Sequence, residues 1–364
     1  MKMMNSLVFQ PTWVSPPGET ILDILYDRQI SPESLAEHIG YDAKNISALF
    51  NGREEISERL AQRLAAAIGP DAEFWLNREK QYRDDVSRIY RNTSKAEDNW
   101  LAELPIKSMQ SFGWIPTSDS KSKKVIDCLD YFGISDISAW KDVSAEFTKE
   151  VRFRTSQTFD QEVGATAAWV RFGETKATKT MCKSWDKNQL LSSIDAIKSL
   201  TLLSEPRSFI PELQQILSNC GVVLIISKTP EGCPVSGMAK FVTPEKALIM
   251  LSFRYLSDDH FWFSLFHELG HLILHGQKST FVEGEAFEQT KEEKEANEFA
   301  AHTLIPMDFR KSMKANSADY RSILKFAKAL GIAPGIVVGQ MQHEGIIKAG
   351  HMNKLKVRYS WSSI

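Results

Sequence analysis

His267-Glu268-Leu269-Gly270-His271 lies inside an apolar stretch, with Phe261-Trp262-Phe263-Ser264-Leu265-Phe266 before it and Leu272-Ile273-Leu274 after it. Ionisable side chains in so apolar a segment are costly unless they are partnered, and a metal ion is a good partner. On an α-helix, positions i and i+4 share a face, so both imidazoles can reach one ion. Glu268 projects about 100° further round, beside the metal but outside its ligand set. The chain must therefore fold so that this helix is buried and a further ligand meets it from elsewhere.

Two histidines and a neighbouring carboxylate are what a zinc peptidase needs: two ligands, and a base that takes a proton from water. A catalytic zinc takes three protein ligands and keeps one position open. In the metzincin pattern the third would be a histidine six residues past His271, after a glycine. Here Gln277 and Leu274 occupy those positions, so that pattern fails. His275 extends a straight i, i+4, i+8 row that cannot wrap one ion. An acidic helix, about Thr290 to Leu304, offers Glu292, Glu293 and Glu295. Glu293 shares a stripe with Ala296, Asn297, Ala300 and Leu304, and the small residues let two helices approach closely. Glu293 is then the expected third ligand, with Asn297 one turn on to orient a motif histidine. Glu268 is the expected general base, and one zinc ion the expected cofactor. Tyr255, His260 and His302 are candidates for stabilising an oxyanion. The strand Ser236–Phe241 is expected as an exposed edge that takes substrate by strand addition.

The 364 residues suffice for two or three domains, and 43% hydrophobic with 25% charged residues reads as soluble and globular. Met1 to Thr20 has no apolar core of signal-peptide length, and no apolar run is long enough to span a membrane. Cys128, Cys182, Cys220 and Cys233 form no CxxC pair, which suits free thiols in a cytoplasm. Cys233 reads as a structural thiol rather than a zinc-bound switch. The fold expected is α+β and mostly helical: an all-α domain over 1–91, a helical middle region over 92–205, and a peptidase domain over 206–364. In the first, Ile21, Leu22 and Leu25, then Leu35, Ala36 and Ile39, give two helices apolar faces. A third helix runs from about Asp42 to Phe50 and stops at Asn51-Gly52. Ile56, Leu60, Leu64 and Ile68 belong to a fourth, and Phe74, Trp75, Tyr82 and Val86 to a fifth. In the middle, Thr117 to Lys124 reads as an exposed loop, and Trp140, Phe147, Phe153, Trp169 and Phe172 supply a core. The last domain carries strands at Gly221–Ser227, Ser236–Phe241 and Ala247–Phe253.

The motif, followed by Glu293-Lys294-Glu295-Ala296-Asn297-Glu298-Phe299-Ala300-Ala301 and Ile305-Pro306, resembles the ImmA/IrrE metallopeptidase family. The resemblance covers about Pro206 to Trp361 and includes the closing segment Gly335 to Gly345. It implies a gluzincin-like fold with a small sheet and the motif helix. His267, His271 and Glu293 would be zinc ligands and Glu268 the base. It also implies a protein substrate, typically a transcriptional repressor or related regulator. His302-Thr303 departs from the family's usual residues without touching the ligand set.

Ser34–Ile39 and Asp42–Phe50, around Gly40-Tyr41, have helix-turn-helix spacing. Pro16-Pro17-Gly18-Glu19, Leu49-Phe50-Asn51-Gly52-Arg53 and Phe74-Trp75-Leu76-Asn77 resemble the HigA-type branch of the Cro-like (XRE) family, over about Pro11 to Arg88. The resemblance implies binding to double-stranded DNA. Ala43, Lys44, Asn45 and Ala48 would face bases, with Arg53 on phosphate. A homodimer through this domain would engage two half-sites. Against this, residues 1–91 hold 11 Lys and Arg but 14 Asp and Glu, a poor balance for phosphate neutralisation. Partner binding or dimerisation is the alternative use of that fold. A non-enzymatic repressor or antitoxin, whose peptidase-like domain only binds metal or a partner, is the rival for the whole chain. It leaves Glu268 without a chemical task.

Overall fold

The computed structural model describes residues 14–151, 159–276, 281–284, 290–315 and 319–363. Pro11, Phe153 and Gln277, used above, lie outside the described residues. The structure is mainly helical with one small mixed sheet, and divides into two compact units. One comprises 14–101 and Ile115–Ile137, the other Ala102–Trp114 and 138–363. The middle region expected at 92–205 is thus shared between the two units.

The first unit begins with α1 (Pro17–Asp27), α2 (Pro32–Ile39), α3 (Ala43–Phe50), α4 (Glu58–Ile68) and α5 (Ala72–Tyr90). Side-chain oxygens of Ser31, Asp42, Ser57 and Asp71 accept from backbone N–H groups in the first turns of α2 to α5, which satisfies donors that a helix start leaves open. Ile21, Leu25, Leu35, Ile39, Leu49, Leu64 and Trp75 form the core. Leu22 and Phe74, expected inward, are 40% and 39% exposed. Ile56 is buried but precedes α4 rather than lying in it. Next along the chain come α6 (Lys95–Glu103), α7 (Ile106–Ser111), which belongs to the second unit, and α8 (Lys121–Phe132), which belongs to the first. The loop expected over Thr117 to Lys124 therefore ends early. Ser120 accepts from Lys123 N at 3.3 Å and starts α8, as serine does at an N-cap.

The second unit continues with α9 (Ile137–Val151), α10 (Phe159–Lys179), α11 (Lys187–Ser199) and α12 (Pro206–Asn219). Strands β1 (Val222–Ile226), β2 (Val235–Thr243) and β3 (Lys246–Leu251) precede α13 (Asp258–Leu274). A short β4 (Phe281–Gly284), α14 (Lys291–Leu304), α15 (Met307–Ala315), α16 (Tyr320–Leu330) and α17 (Pro334–His343) complete it. The sheet order is β1-β3-β2-β4, with β1 parallel to β3 and the other pairs antiparallel. Side chains alternate between faces along a strand, and the burial follows. Val222, Leu224, Ala239, Ala247 and Ile249 pack with α12 and α13. Val223, Met238, Leu248 and Met250 pack with Trp169 and Val170 of α10. No single helix among the described residues is long and apolar enough to cross a membrane.

The start of α13 is held by the chain's C-terminal tail. Lys356 Nζ contacts Asp259 Oδ2 at 2.6 Å and donates to Gln342 Oε1 at 2.7 Å. Asp258 N donates to Val357 O at 3.0 Å, and Tyr359 packs on Phe209, Phe253 and Phe261. Burial pushes the Asp258 carboxyl up from 3.8 to about 6. A carboxyl raised in the folded state binds its proton more tightly there, so its ionisation costs stability above the folded value and nothing below the unfolded one. A rise of that size corresponds to roughly 3 kcal/mol. Asp258→Asn, which keeps an acceptor for the Asp259 N–H, is therefore expected to raise Tm at pH 8 and to raise it much less at pH 4.5. Equal shifts at both pH values in thermal melts would contradict the assignment.

Candidate metal centre

α13 is buried over nearly its whole length because it lies between the sheet and α14. His267, Glu268 and His271 are 1%, 0% and 0% exposed. α14 approaches closely where Gly270 faces Ala296 and Phe299: a Cβ on Gly270 would lie 3.0 Å from the Phe299 ring. Ala296, Ala300 and Leu304 are fully buried on the facing stripe, as the spacing of small residues anticipates. This contact brings Glu293, near the start of α14, to the motif histidines.

The donor atoms converge. His267 Nε2 and His271 Nε2 are 2.9 Å apart. Glu293 places Oε2 3.3 Å from His267 Nε2 and Oε1 3.2 Å from His271 Nε2. A tetrahedral zinc with bonds of about 2.0–2.1 Å separates its ligands by roughly 3.3 Å, so the spacing and the donor chemistry both fit such an ion. Among the described residues, His267, His271 and Glu293 are the group that could hold a metal. His267 Nδ1–H donates to Asn297 Oδ1 at 3.0 Å, which turns Nε2 toward the cluster.

The electrostatics suit a cation. Burial pushes the His271 imidazole down to about 4, so it is neutral near pH 7. Burial alone would raise Glu293, but the two histidines more than offset it and hold the carboxyl at about 2. Metal ligands have to be deprotonated, and these groups are so near neutrality. Glu268 stands outside the donor set, against β2. A Cβ on Gly237 would lie 2.6 Å from Glu268 Oε1, so glycine is what makes room for this carboxylate. The sequence alone does not single out Gly237. Its only signal there is a glycine inside a strand, which often marks a close approach.

Other expectations fare differently. β2 is not an exposed edge, because β4 pairs along it from Val235 to Ala239. His260 stacks on Tyr255 with ring centroids 4.3 Å apart, but it precedes His267 by seven residues, about 10.5 Å along the helix. His302 is exposed and nine residues beyond Glu293, on the opposite side of α14. Tyr255 and His260 line a small recess together with Ser236 and with Ser264, one turn before the motif. His275 Nε2–H donates to Glu292 O at 3.2 Å and takes no part. Cys233 is buried against Thr166, and burial pushes its thiol up to about 12. In the first unit, Asn45 and Arg53 are exposed and Ala48 is half-buried. Ala43 and Lys44 belong to α3, but their side chains lie outside the described residues.

A buried helix pair on a mixed sheet, presenting two histidines and a glutamate that could hold a metal with a second carboxylate beside them, has the make-up of a metallopeptidase-like centre. Consistent with it, residues 235–338 match the model of a metallopeptidase family described as the IrrE N-terminal-like domain. The match spans β2 to α17 and contains every residue of the cluster. No curated protein matches the chain. Asn297→Ala is expected to weaken zinc binding by about 10- to 100-fold in competition with a chromogenic chelator. Unchanged affinity would show that Asn297 does not orient His267.

Proposed function

We propose that the second unit is a zinc-dependent endopeptidase that cuts a regulatory protein, such as a transcriptional repressor, and that α1 to α5 form a DNA-binding head. The observation that carries the peptidase reading is the convergence of His267, His271 and Glu293 donor atoms within 3.3 Å of one another, with Glu268 beside the cluster. Bound zinc would polarise the scissile carbonyl and acidify water near neutral pH. Glu268 takes the proton of the attacking water and later delivers it to the leaving amine. Gly237 keeps space for that carboxylate, and Asn297 fixes the ring of His267. A regulator that only bound metal would use the three ligands and have no need of Glu268.

The choice of a regulatory substrate rests on the resemblance of the peptidase and head sequences to regulatory families. In the head, α3 would offer Ala43, Lys44, Asn45 and Ala48 to base edges, and Arg53, just after it, would reach phosphate. Its acidic balance makes for weak phosphate neutralisation, so two half-sites engaged by a dimer would be needed for tight binding. Free thiols at Cys128, Cys182, Cys220 and Cys233 agree with work in a reducing cytoplasm.

Glu268→Gln should retain zinc by elemental analysis and lose roughly 10²- to 10⁴-fold in cleavage rate. Cleavage is read by mass spectrometry on products of neighbouring genes. A variant that cuts at the wild-type rate overturns the role of Glu268. For the head, a mobility shift on DNA upstream of the chain's own gene is expected at low salt and should fade as salt rises. Absence of a shift at low salt removes DNA binding.

A further inference from the structure

The stripe of α13 that carries the metal cluster continues past it toward the start of the helix. Spacings of three, four and seven residues place His260, Ser264, His267, Glu268 and His271 on one side. Ser264 lies one turn before the motif, and there the described residues leave a recess of about 20 Å³. Ser236, Tyr255, His260 and Phe261 line it as well. Ser236 precedes Gly237, the residue against which Glu268 Oε1 lies. The recess is therefore next to the carboxylate assigned as base, on the same side of the helix and beside the same strand.

Residues 253–256 form a fixed wall of this recess. Phe253 and Leu256 adopt φ of +51° and +48°, a left-handed conformation that residues other than glycine keep only where their surroundings over-determine it. Phe253 stacks on Phe261 with ring centroids 4.3 Å apart. Leu256 O accepts from Tyr359 N at 2.9 Å, and Arg358 Nη1 donates to Tyr255 O at 3.3 Å. Arg254 donates to Pro234 O, just before β2. Between the two left-handed residues, the Tyr255 ring stacks on His260 at 4.3 Å.

We propose that this recess is a side-chain pocket by which the peptidase selects its substrate, admitting a residue no larger than alanine or serine one or two positions from the bond that is cut. The proposal rests on the peptidase reading above. Position follows from length. Ser264 precedes His267 and Glu268 by about 4.5 to 6 Å along the axis, and an extended chain advances about 3.3 Å per residue. A side chain seated at Ser264 thus belongs to a residue one or two from the carbonyl at the metal cluster. Size follows from volume and stiffness. A space of about 20 Å³ has room for about one water, which is also the room a methyl or hydroxymethyl group needs. Walls pinned by ring stacking and backbone hydrogen bonds do not retreat for a leucine. The hydroxyl of Ser264 gives a serine side chain a polar neighbour.

A proteome-derived peptide library is digested with the zinc-loaded full chain, and the cut sites are read by mass spectrometry. Alanine, serine or glycine should be enriched at one fixed position within two residues of the cut. For two synthetic peptides that differ there by alanine against leucine, kcat/KM should favour alanine by at least about tenfold. Fluorescence anisotropy of the same pair on the Glu268→Gln chain should give the same order of affinity without turnover. Tyr255→Ala removes a ring from the wall and should bring the ratio toward one. Ser264→Val narrows the recess and should favour glycine over alanine. Each ratio compares two substrates on one preparation, so a loss of folded protein does not move it. Cleavage with no small-residue position within two residues, or an unchanged ratio in Tyr255→Ala, would overturn the pocket and leave the peptidase reading standing. No cleavage of any peptide by the zinc-loaded chain would remove that reading and the pocket with it.

Discussion

The carboxylate of Glu293, set between two imidazoles of another helix, is the contact to which most of the second unit is fitted. It is a charged group that burial alone would push toward neutrality, and the histidines reverse that. For those atoms to meet, α14 must lie almost on the backbone of α13, which Gly270, Ala296 and Ala300 permit. For α13 to stay buried on its other side, the sheet must present small residues to it, and Gly237 and Ala239 do so. The protonation states that follow, neutral His271 and ionised Glu293, are those in which the atoms can ligate a cation without first losing a proton.

The far end of α13 is secured by different chemistry. Ser257 does not cap the helix in the usual way: its Oγ donates to Asp259 Oδ1 at 2.7 Å. Asp259 in turn meets Lys356 from the tail, with both side chains 7% exposed. A buried pair of this kind contributes little net stability, but losing one partner leaves a stranded charge. The tail, basic and aromatic in sequence, thus acts as an internal strap. Its charge is used inside the fold, beside Asp259 and Gln342, and its aromatic residues extend the core around Phe209 and Phe253.

The readable parts of this chain are those where periodicity is strong or chemistry is rare. The stripe Glu293, Ala296, Asn297, Ala300 and Leu304 showed which glutamate faces the histidines, and the hydrogen bond from His267 to Asn297 follows from the same stripe. The first five helices were marked by caps and apolar spacing. α10 left no such mark: Gly164, Ala165, Thr166, Ala167 and Ala168 are small residues packed on several sides, so no single apolar face stands out. β4 is four residues long and includes Glu283 and Gly284, too short to show alternation. Without β4, β2 has the pattern of an edge strand, and it is this short strand that covers it. Gly237 was invisible for a related reason, since what it provides is space, and only the position of Glu268 reveals the need for it.

β4 pairs one side of the sheet while β1, on the other, pairs only with β3, and a strand edge left unguarded invites pairing with other chains. β1 is apolar, Val222-Val223-Leu224-Ile225-Ile226, and on a flat surface such an edge would be an aggregation hazard. Its protection is steric rather than electrostatic. α10 and α12 rise on either side of it, and Gln214 occupies one outward carbonyl. Val222 and Leu224, whose backbone groups turn away from β3, are buried there. Pro211 of α12 costs that helix a backbone bond, yet it adds a rigid apolar surface beside the strand. The edge is therefore shielded by the same two helices that pack its two faces, which is why an apolar strand without charges of its own can end the sheet.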